Sequence, residues 1–342
     1  MIGGEHFLQT PPAVDDSLGE LLSTTLGQVS LFSTGRDGLA CLLAALPAQA
    51  IHLPDLMCAS VHEACLAAGK ERLIYRVGTD FLHEPSFDPF GDPSQIVFVM
   101  HYFGICNDTL MRQAKSAGLT VVSDVTHLLF DREGMKNTAA HSDFLIASLR
   151  KSGPFPDGGF VSSLAHRPVE PTLGIREEFF ALRAAGLLSR GFSATADFAD
   201  DENFILLKRA EELLDASGAA GHRCSYLTQR LLHTVSVADA AAGIHRNAAV
   251  LAAGLADVCI VPAPGDRISP YFPCIFRDRE QRDAVRSRLA SRKCHFPVHW
   301  PAAGLPSPSP LADRCLSIPC DARYGESDMH TVLETIRSCL TQ

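Results

Sequence analysis

The chain has 342 residues, 46% of them hydrophobic, and a formal net charge of −9 at pH 7. This length and apolar content suffice for a large hydrophobic core, in one or two lobes. The negative charge without a basic block disfavours a nucleic-acid partner, and no apolar run reaches the roughly 20 residues of a membrane span. The 11 cysteines include no C-x-x-C pair, and the N-terminus lacks the segments of a signal peptide. These features predict free thiols and a cytoplasmic location.

The first half of the chain alternates helical and strand-like segments. A Thr-Gly turn opens a helix within residues 32–46. Beyond it, the patterns predict strands over 50–57, 72–77, 94–104, 119–130, 142–149 and 158–164, and helices over 59–70 and 107–118. Several of the strands are continuous apolar runs, as is typical of parallel strands buried on both faces. The alternation predicts the α/β class, with a doubly wound parallel or mixed sheet.

The second half of the chain has a different pattern of predicted secondary structure. Residues 172–256 are predicted to be almost wholly helical. Short strands ("VCIVPA" and "YFPCIF"), a helix over 278–292, a proline-rich segment over 295–313 and a last helix over 326–340 follow. We therefore expect a large domain over residues 1–240, with an N-terminal arm over 1–28, and a small α+β domain over 241–342.

Polar residues that could take part in catalysis or binding lie at the predicted strand ends. Asp124 ends the "VVSD" strand, His127 follows it, and Lys151 comes just after another buried strand. Ligands of open α/β sheets bind at the carboxyl ends of the strands, and the turn at residues 34–36 opens a helix whose free N–H groups could hold an anion. A pyridoxal 5′-phosphate (PLP) site needs these groups: a lysine for the aldehyde, an acid for the pyridine nitrogen and a helix N-terminus for the phosphate. Taken singly, each residue also fits a structural role, as a surface lysine or a helix-capping aspartate.

Six motifs in order along the chain strengthen this interpretation. They are "STGRDGL", "LPDLMCASV", "HYFG", "VVSDVTH", "SLRKSGPFPDGG" and "HFPVHWP". Together they resemble the DegT/DnrJ/EryC1/StrS family of PLP-dependent aminotransferases, over almost the whole chain. The resemblance implies fold type I, a mainly parallel sheet flanked by helices with a smaller α+β C-terminal domain. It also implies a homodimer with a composite active site.

The resemblance gives each motif residue a role. Lys151 is expected to form a Schiff base with the cofactor and to move a proton, Asp124 to keep the pyridine nitrogen protonated, and His127 to lie near the 3′-oxygen. The other expected cofactor contacts are Thr34, Gly35, Arg36, Cys58, Thr126 and Ser148. The candidate substrate residues are His101, Tyr102, Ser225, Tyr226, His295, His299 and Trp300, of which Ser225 and Tyr226 are expected to reach the partner subunit's site.

Some features depart from the family pattern. Cys58 stands where the family usually stacks an aromatic residue on the ring. The Asn-Tyr-Arg-Met stretch often supplied by the second subunit is missing, and "CSYLTQR" stands near its place. The spacing of His295 and His299 would suit zinc on a helix, but Pro297 between them makes this segment extended, so we expect no metal.

The leading interpretation is an aminotransferase that takes an amino group from an amino-acid donor, by resemblance glutamate, and gives it to a keto-sugar or related small carbonyl compound. One alternative is a non-transaminating PLP enzyme, such as one catalysing elimination or dehydration. Another is a catalytically silent PLP-binding regulatory or partner protein. The retained Lys151 favours transamination, because the family's dehydratase variants replace the lysine with histidine.

Overall fold

A seven-stranded sheet lies at the centre of the computed structural model, which describes residues 2–3, 12–83, 94–195, 202–261, 267–301, 305 and 307–340. The strands are β1 Ile2–Gly3, β2 Gln28–Phe32, β3 Ala50–Pro54, β4 Glu71–Tyr75, β5 Ile96–Met100, β6 Thr120–Asp124, β7 Phe144–Ser148, β8 Gly159–Ser163, β9 Tyr271–Ile275, β10 Cys294–His295 and β11 Cys315–Pro319. The helices are α1 Leu18–Thr25, α2 Gly35–Ala45, α3 Ala59–Ala67, α4 Asp108–Ser116, α5 Arg132–Ala140, α6 Glu177–Thr195, α7 Glu202–Ser217, α8 Tyr226–Leu231, α9 Val237–Leu255, α10 Arg279–Ser291, α11 Leu311–Arg314 and α12 Glu326–Leu340.

The large sheet has the strand order β2-β8-β7-β6-β5-β3-β4. The five strands from β7 to β4 in this order run parallel, and β8 is antiparallel to both of its neighbours, β7 and β2. The chain leaves β3 on one side towards β4 and returns on the other side as β5, so the connections change direction between β3 and β5. In such sheets the ligand crevice lies at this switch point, beyond the carboxyl ends of the strands.

The predicted α/β class and mainly parallel sheet are confirmed, but the patterns missed four strands, of which β1 and β10 have only two residues each. Strand β2 lies at the edge of the large sheet, and β11 pairs antiparallel with β9 in a separate two-stranded sheet. The predicted strand "VCIVPA" is wrong for the described residues 258–261, where Ile260 makes only an isolated bridge with Ile275. The predicted domain boundary at residue 240 falls within α9 and stays a prediction.

The prediction that all cysteines are free is wrong for one pair. Cys259 and Cys274 form a disulfide, with their Cα atoms 6.1 Å apart. They meet because Ile260 and Ile275 form an antiparallel bridge, a contact that no spacing in the sequence reveals. Since disulfides are rare in reducing compartments, the cysteine content no longer supports a cytoplasmic location.

Among the residues that the structure describes, no helix combines the length and the apolar character needed to cross a bilayer.

Candidate active site

A pocket lies at the carboxyl ends of β5, β6 and β7, beside the N-terminus of α2. It brings together residues that are far apart in the sequence. The predicted site residues in its lining are Thr34, Gly35, Arg36, Cys58, His101, Tyr102, Asp124, Thr126, His127, Ser148, Lys151 and Trp300. The structure thus brings these predicted residues together in one pocket, while the role of each residue stays a prediction.

A short 3-10 turn, Leu149–Lys151, carries the lysine out of β7 and into the pocket. Lys151 is partly buried, and its Nζ lies 3.8 Å from the Sγ of Cys58. The hydroxyl of Tyr271 donates a hydrogen bond to the Lys151 carbonyl oxygen at 3.1 Å, which fixes the turn to β9. The sequence did not single out Tyr271, because this contact joins residues that are 120 positions apart.

Asp124 is the last residue of β6, so its carboxylate faces the pocket from the strand end. Its Oδ1 accepts a hydrogen bond from the Thr126 amide at 2.9 Å. Burial raises the pKa of the Asp124 carboxyl, while the hydrogen bonds from Thr126 and the positive charge of Lys151 act in the opposite direction. A cation beside this carboxylate would offset the cost of its burial.

His127 is held in one tautomer by the backbone. Its Nδ1 accepts a hydrogen bond from the Phe103 amide at 3.1 Å, which assigns the ring proton to Nε2. Burial, with a smaller contribution from Lys151, lowers the pKa of His127 to about 3. The imidazole is therefore neutral at physiological pH, and its Nε2 is a hydrogen-bond donor.

An aromatic cluster surrounds His127. His299 lies 5.1 Å from it and Trp300 5.4 Å, measured between ring centroids, and Tyr271 packs on His299 at 4.3 Å. His299 also contacts Ser317, with 2.7 Å between Nδ1 and Oγ, and burial lowers the pKa of His299 well below its ordinary range. This cluster places His299 beside the pocket, through ring contacts that the proline-rich sequence around it did not reveal.

Two arginines at the α2 end of the pocket are tied to α7. Arg36 donates to Asp215 at 2.9 Å, and Arg150 forms a bidentate pair with Glu211 at 2.6 and 3.1 Å. The carboxylates are four residues apart, so they lie on one face of α7. Leu214, which lies between them in the sequence, lines the pocket. The sequence did not predict that α7 borders the pocket, because its pattern is that of an ordinary amphipathic helix.

The remaining predicted residues lie outside the pocket lining. Ser225 caps α8 and donates to Asp157 at 2.7 Å, and it is only 3% exposed. This burial within its own chain contradicts the expectation that Ser225 reaches a partner's site. Tyr226 is 73% exposed and His295 is exposed on β10, so both remain open to other contacts. Tyr102, by contrast, does line the pocket, but its hydroxyl donates a hydrogen bond to the Leu56 carbonyl oxygen.

No protein-family model and no curated protein matches the chain, whereas solved structures match its fold. A proposed sugar aminotransferase from Streptococcus pneumoniae, in its PMP form, is 13% identical, with 98% of this chain and 92% of that chain covered and a TM-score of 0.67. A DegT DnrJ EryC1 StrS aminotransferase from Brucella abortus is 16% identical, with 95% and 88% covered and a TM-score of 0.59. The serine palmitoyltransferase of Sphingomonas wittichii is 16% identical, with 94% and 75% covered and a TM-score of 0.56. The chain therefore has the α/β fold of these transferases, fold type I, as the resemblance implied.

Proposed function

We propose that the chain is a PLP-dependent aminotransferase of the DegT/DnrJ/EryC1/StrS family. It takes an amino group from glutamate and transfers it to a keto-sugar or a related small carbonyl compound. The observation that carries the proposal is the meeting of Lys151, Asp124 and the N-terminus of α2 in one pocket. The fold match to proteins described as sugar aminotransferases supports the choice of reaction.

The residues present fit PLP by their chemistry. The Lys151 amine would bind the aldehyde, Asp124 the ring nitrogen, and the first turn of α2 with the Ser148 hydroxyl the phosphate. When bound, PLP draws electrons away from the carbon that carries the amino group. Burial disfavours the charged form of Asp124 and raises its pKa, and a protonated pyridine facing it would offset this cost.

The chain's own residues supply the proton chemistry. Lys151, which lines the pocket together with Asp124, would move a proton at its Nζ. The imidazoles of His127 and His299 are neutral by their lowered pKa values. The His127 Nε2–H can donate to an oxygen of the cofactor or substrate. Asp124 holds a proton on the ring nitrogen by charge attraction.

Uptake of PLP by the purified protein tests the proposal. We expect a yellow protein with a visible absorbance band that is lost in Lys151→Ala. The band should persist in Lys136→Ala, which removes an exposed lysine that pairs with Glu133 outside the pocket lining. Glutamate should convert the bound cofactor to its amine form and release 2-oxoglutarate in equal amount. A colourless protein that does not take up added PLP would refute the proposal.

Two other outcomes would redirect the assignment. PLP uptake without 2-oxoglutarate release, over a panel of amino donors, would support a silent PLP-binding protein. Turnover of the donor by elimination would support a non-transaminating enzyme. A spectrophotometric screen of keto-sugars against the amine form identifies the acceptor. We also propose a homodimer, which sedimentation at micromolar concentration would test.

A further inference from the structure

The first turn of α2 contains a buried carboxylate at the helix end that faces the pocket. The Asp37 amide donates to the Thr34 hydroxyl at 3.1 Å, and this hydroxyl donates back to Oδ2 of Asp37 at 2.9 Å. The Asp37 side chain is 0% exposed. A negative charge at a helix N-terminus stabilises the helix, but it also repels any anion that approaches the same end.

Arg176, just before α6, balances this charge. Its Nη2 lies 2.7 Å from Oδ1 of Asp37 and its Nε 3.1 Å from Oδ2, so the pair is bidentate. The Arg176 side chain is 6% exposed, and it also donates to Ser217 Oγ and the Gly218 carbonyl, each at 2.6 Å. Removing one partner of such a pair leaves a buried charge without compensation.

We propose that Arg176 is a positioning residue for the phosphate group of the cofactor. By neutralising Asp37, it leaves the N-terminus of α2 attractive to a dianion. It also ties the segment after α7 to the helix cap. This inference rests on the proposed function. The sequence does not reveal the contact between Arg176 and Asp37, because the two residues lie 139 positions apart.

The inference predicts a selective loss of affinity. In Arg176→Gln the Asp37 carboxylate stays buried without its counter-charge, so the affinity for PLP and for inorganic phosphate should fall by about tenfold or more. The affinity for pyridoxal, which binds through Lys151 but lacks the phosphate, should change by less than about twofold, because no second charge is present to be repelled. A purely structural role would weaken both aldehydes equally.

Spectrophotometric titration with PLP and with pyridoxal measures these affinities, and calorimetry measures that for inorganic phosphate. The double variant Asp37→Asn/Arg176→Gln removes both charges and should restore PLP affinity to within about threefold of wild type. Arg282→Gln is the control, because Arg282 is also buried (5% exposed) but lies outside the pocket lining. It should leave all three affinities unchanged.

Other outcomes would overturn the inference. These are unchanged PLP affinity in Arg176→Gln, an equal loss for PLP and pyridoxal, or no recovery in the double variant. If Arg176→Gln does not fold, Asp37→Asn alone tests the inference. Because this change removes the negative charge, phosphate binding should stay the same or become tighter. A tenfold weakening would refute the inference. Wild-type protein that binds inorganic phosphate but not PLP would refute the proposed function alone. Binding of neither would refute both.

Discussion

Burial sets the charge state of the groups around Lys151. It lowers the pKa of His127 to about 3 and moves the pKa of Asp124 upward, so both groups favour their neutral forms more than they would in water. A cationic ring nitrogen would reverse this preference for Asp124 but not for His127. The two residues are therefore suited to different roles, Asp124 as a counter-ion and His127 as a neutral hydrogen-bond donor.

Asp124→Asn separates binding from catalysis. Asparagine keeps the size of the side chain and an oxygen for the Thr126 amide, but removes the charge. PLP should still bind through Lys151 and the α2 end, while the glutamate half-reaction slows by about 100-fold or more in stopped-flow measurements. Asp143→Asn, which changes a buried carboxylate outside the pocket lining, should react as fast as wild type. A near-wild-type rate in Asp124→Asn would remove Asp124 as the pyridine partner.

His101 makes the stability of the fold sensitive to acid. It is 2% exposed, its Nδ1 accepts from the Asn107 amide at 3.3 Å, and burial lowers its pKa to about 3. Because the folded pKa lies below the unfolded value of about 6.5, the neutral ring contributes stability that is fully present above pH 6.5 and is lost as the pH falls towards 3. Between pH 6.5 and 3, one such histidine lowers the free energy of unfolding by up to about 1.4 kcal/mol for each pH unit of acidification.

Removal of the ring should flatten this dependence. Urea unfolding of His101→Asn between about pH 6 and pH 4 should show a shallower loss of unfolding free energy than wild type, even though the variant is less stable at neutral pH. His245→Asn, at an exposed position, should run parallel to wild type. Parallel curves for His101→Asn and wild type would show that His101 takes up its proton normally in the folded state.

Strand β8 and helix α2 approach each other so closely that only glycine fits between them. A Cβ at Gly159 would lie 2.2 Å from the Gly35 nitrogen and 2.4 Å from the Thr34 carbonyl carbon, both backbone atoms. Gly158 beside it has a φ of +126°, which disfavours any side chain. The Pro-Asp-Gly-Gly turn thus sets the position of the helix end that the phosphate is proposed to contact.

Gly159→Ala should therefore damage both stability and binding. We expect a loss of about 3 kcal/mol or more in unfolding free energy, because backbone must move to accommodate the methyl group. Phosphate and PLP affinity should fall with it, as measured by calorimetry on the folded fraction. Gly174→Ala is the matched control, since a Cβ there meets no atom within 4 Å. Wild-type stability in Gly159→Ala would contradict this close packing.

The sequence predicted elements well where one physical rule decides them. Buried parallel strands such as β5 are continuous apolar runs, and the residues after them line one pocket because the carboxyl ends of parallel strands meet at one edge. The pattern failed for β11, whose partner β9 lies about 40 residues away across a proline-rich segment. Contacts such as Arg176 with Asp37, or Cys259 with Cys274, depend on tertiary packing and leave no periodic signal.

One hydrophobic core connects the large sheet to the C-terminal part of the chain. Its buried members include Val125, Leu145 and Phe160 from the sheet side and Phe272, Leu316 and Met329 from the C-terminal part. The predicted boundary at residue 240 would divide this core. A second core, on β3, β5 and β6, also reaches the C-terminal part through Trp300, which packs on Tyr102 at 5.0 Å.

These shared cores predict that the molecule unfolds as one unit despite its size. Trp300 is the only tryptophan, so its fluorescence reports on the contact between the C-terminal part and the sheet, while far-UV circular dichroism reports on all helices and strands. Because both parts bury apolar surface against each other, the two signals should give the same urea midpoint, within about 0.2 M. A fragment ending at residue 240 should lack a cooperative transition, since it lacks the C-terminal members of the core that contains Phe160. Two separate midpoints, with Trp300 becoming exposed first, would show instead that the C-terminal part detaches while the sheet stays folded.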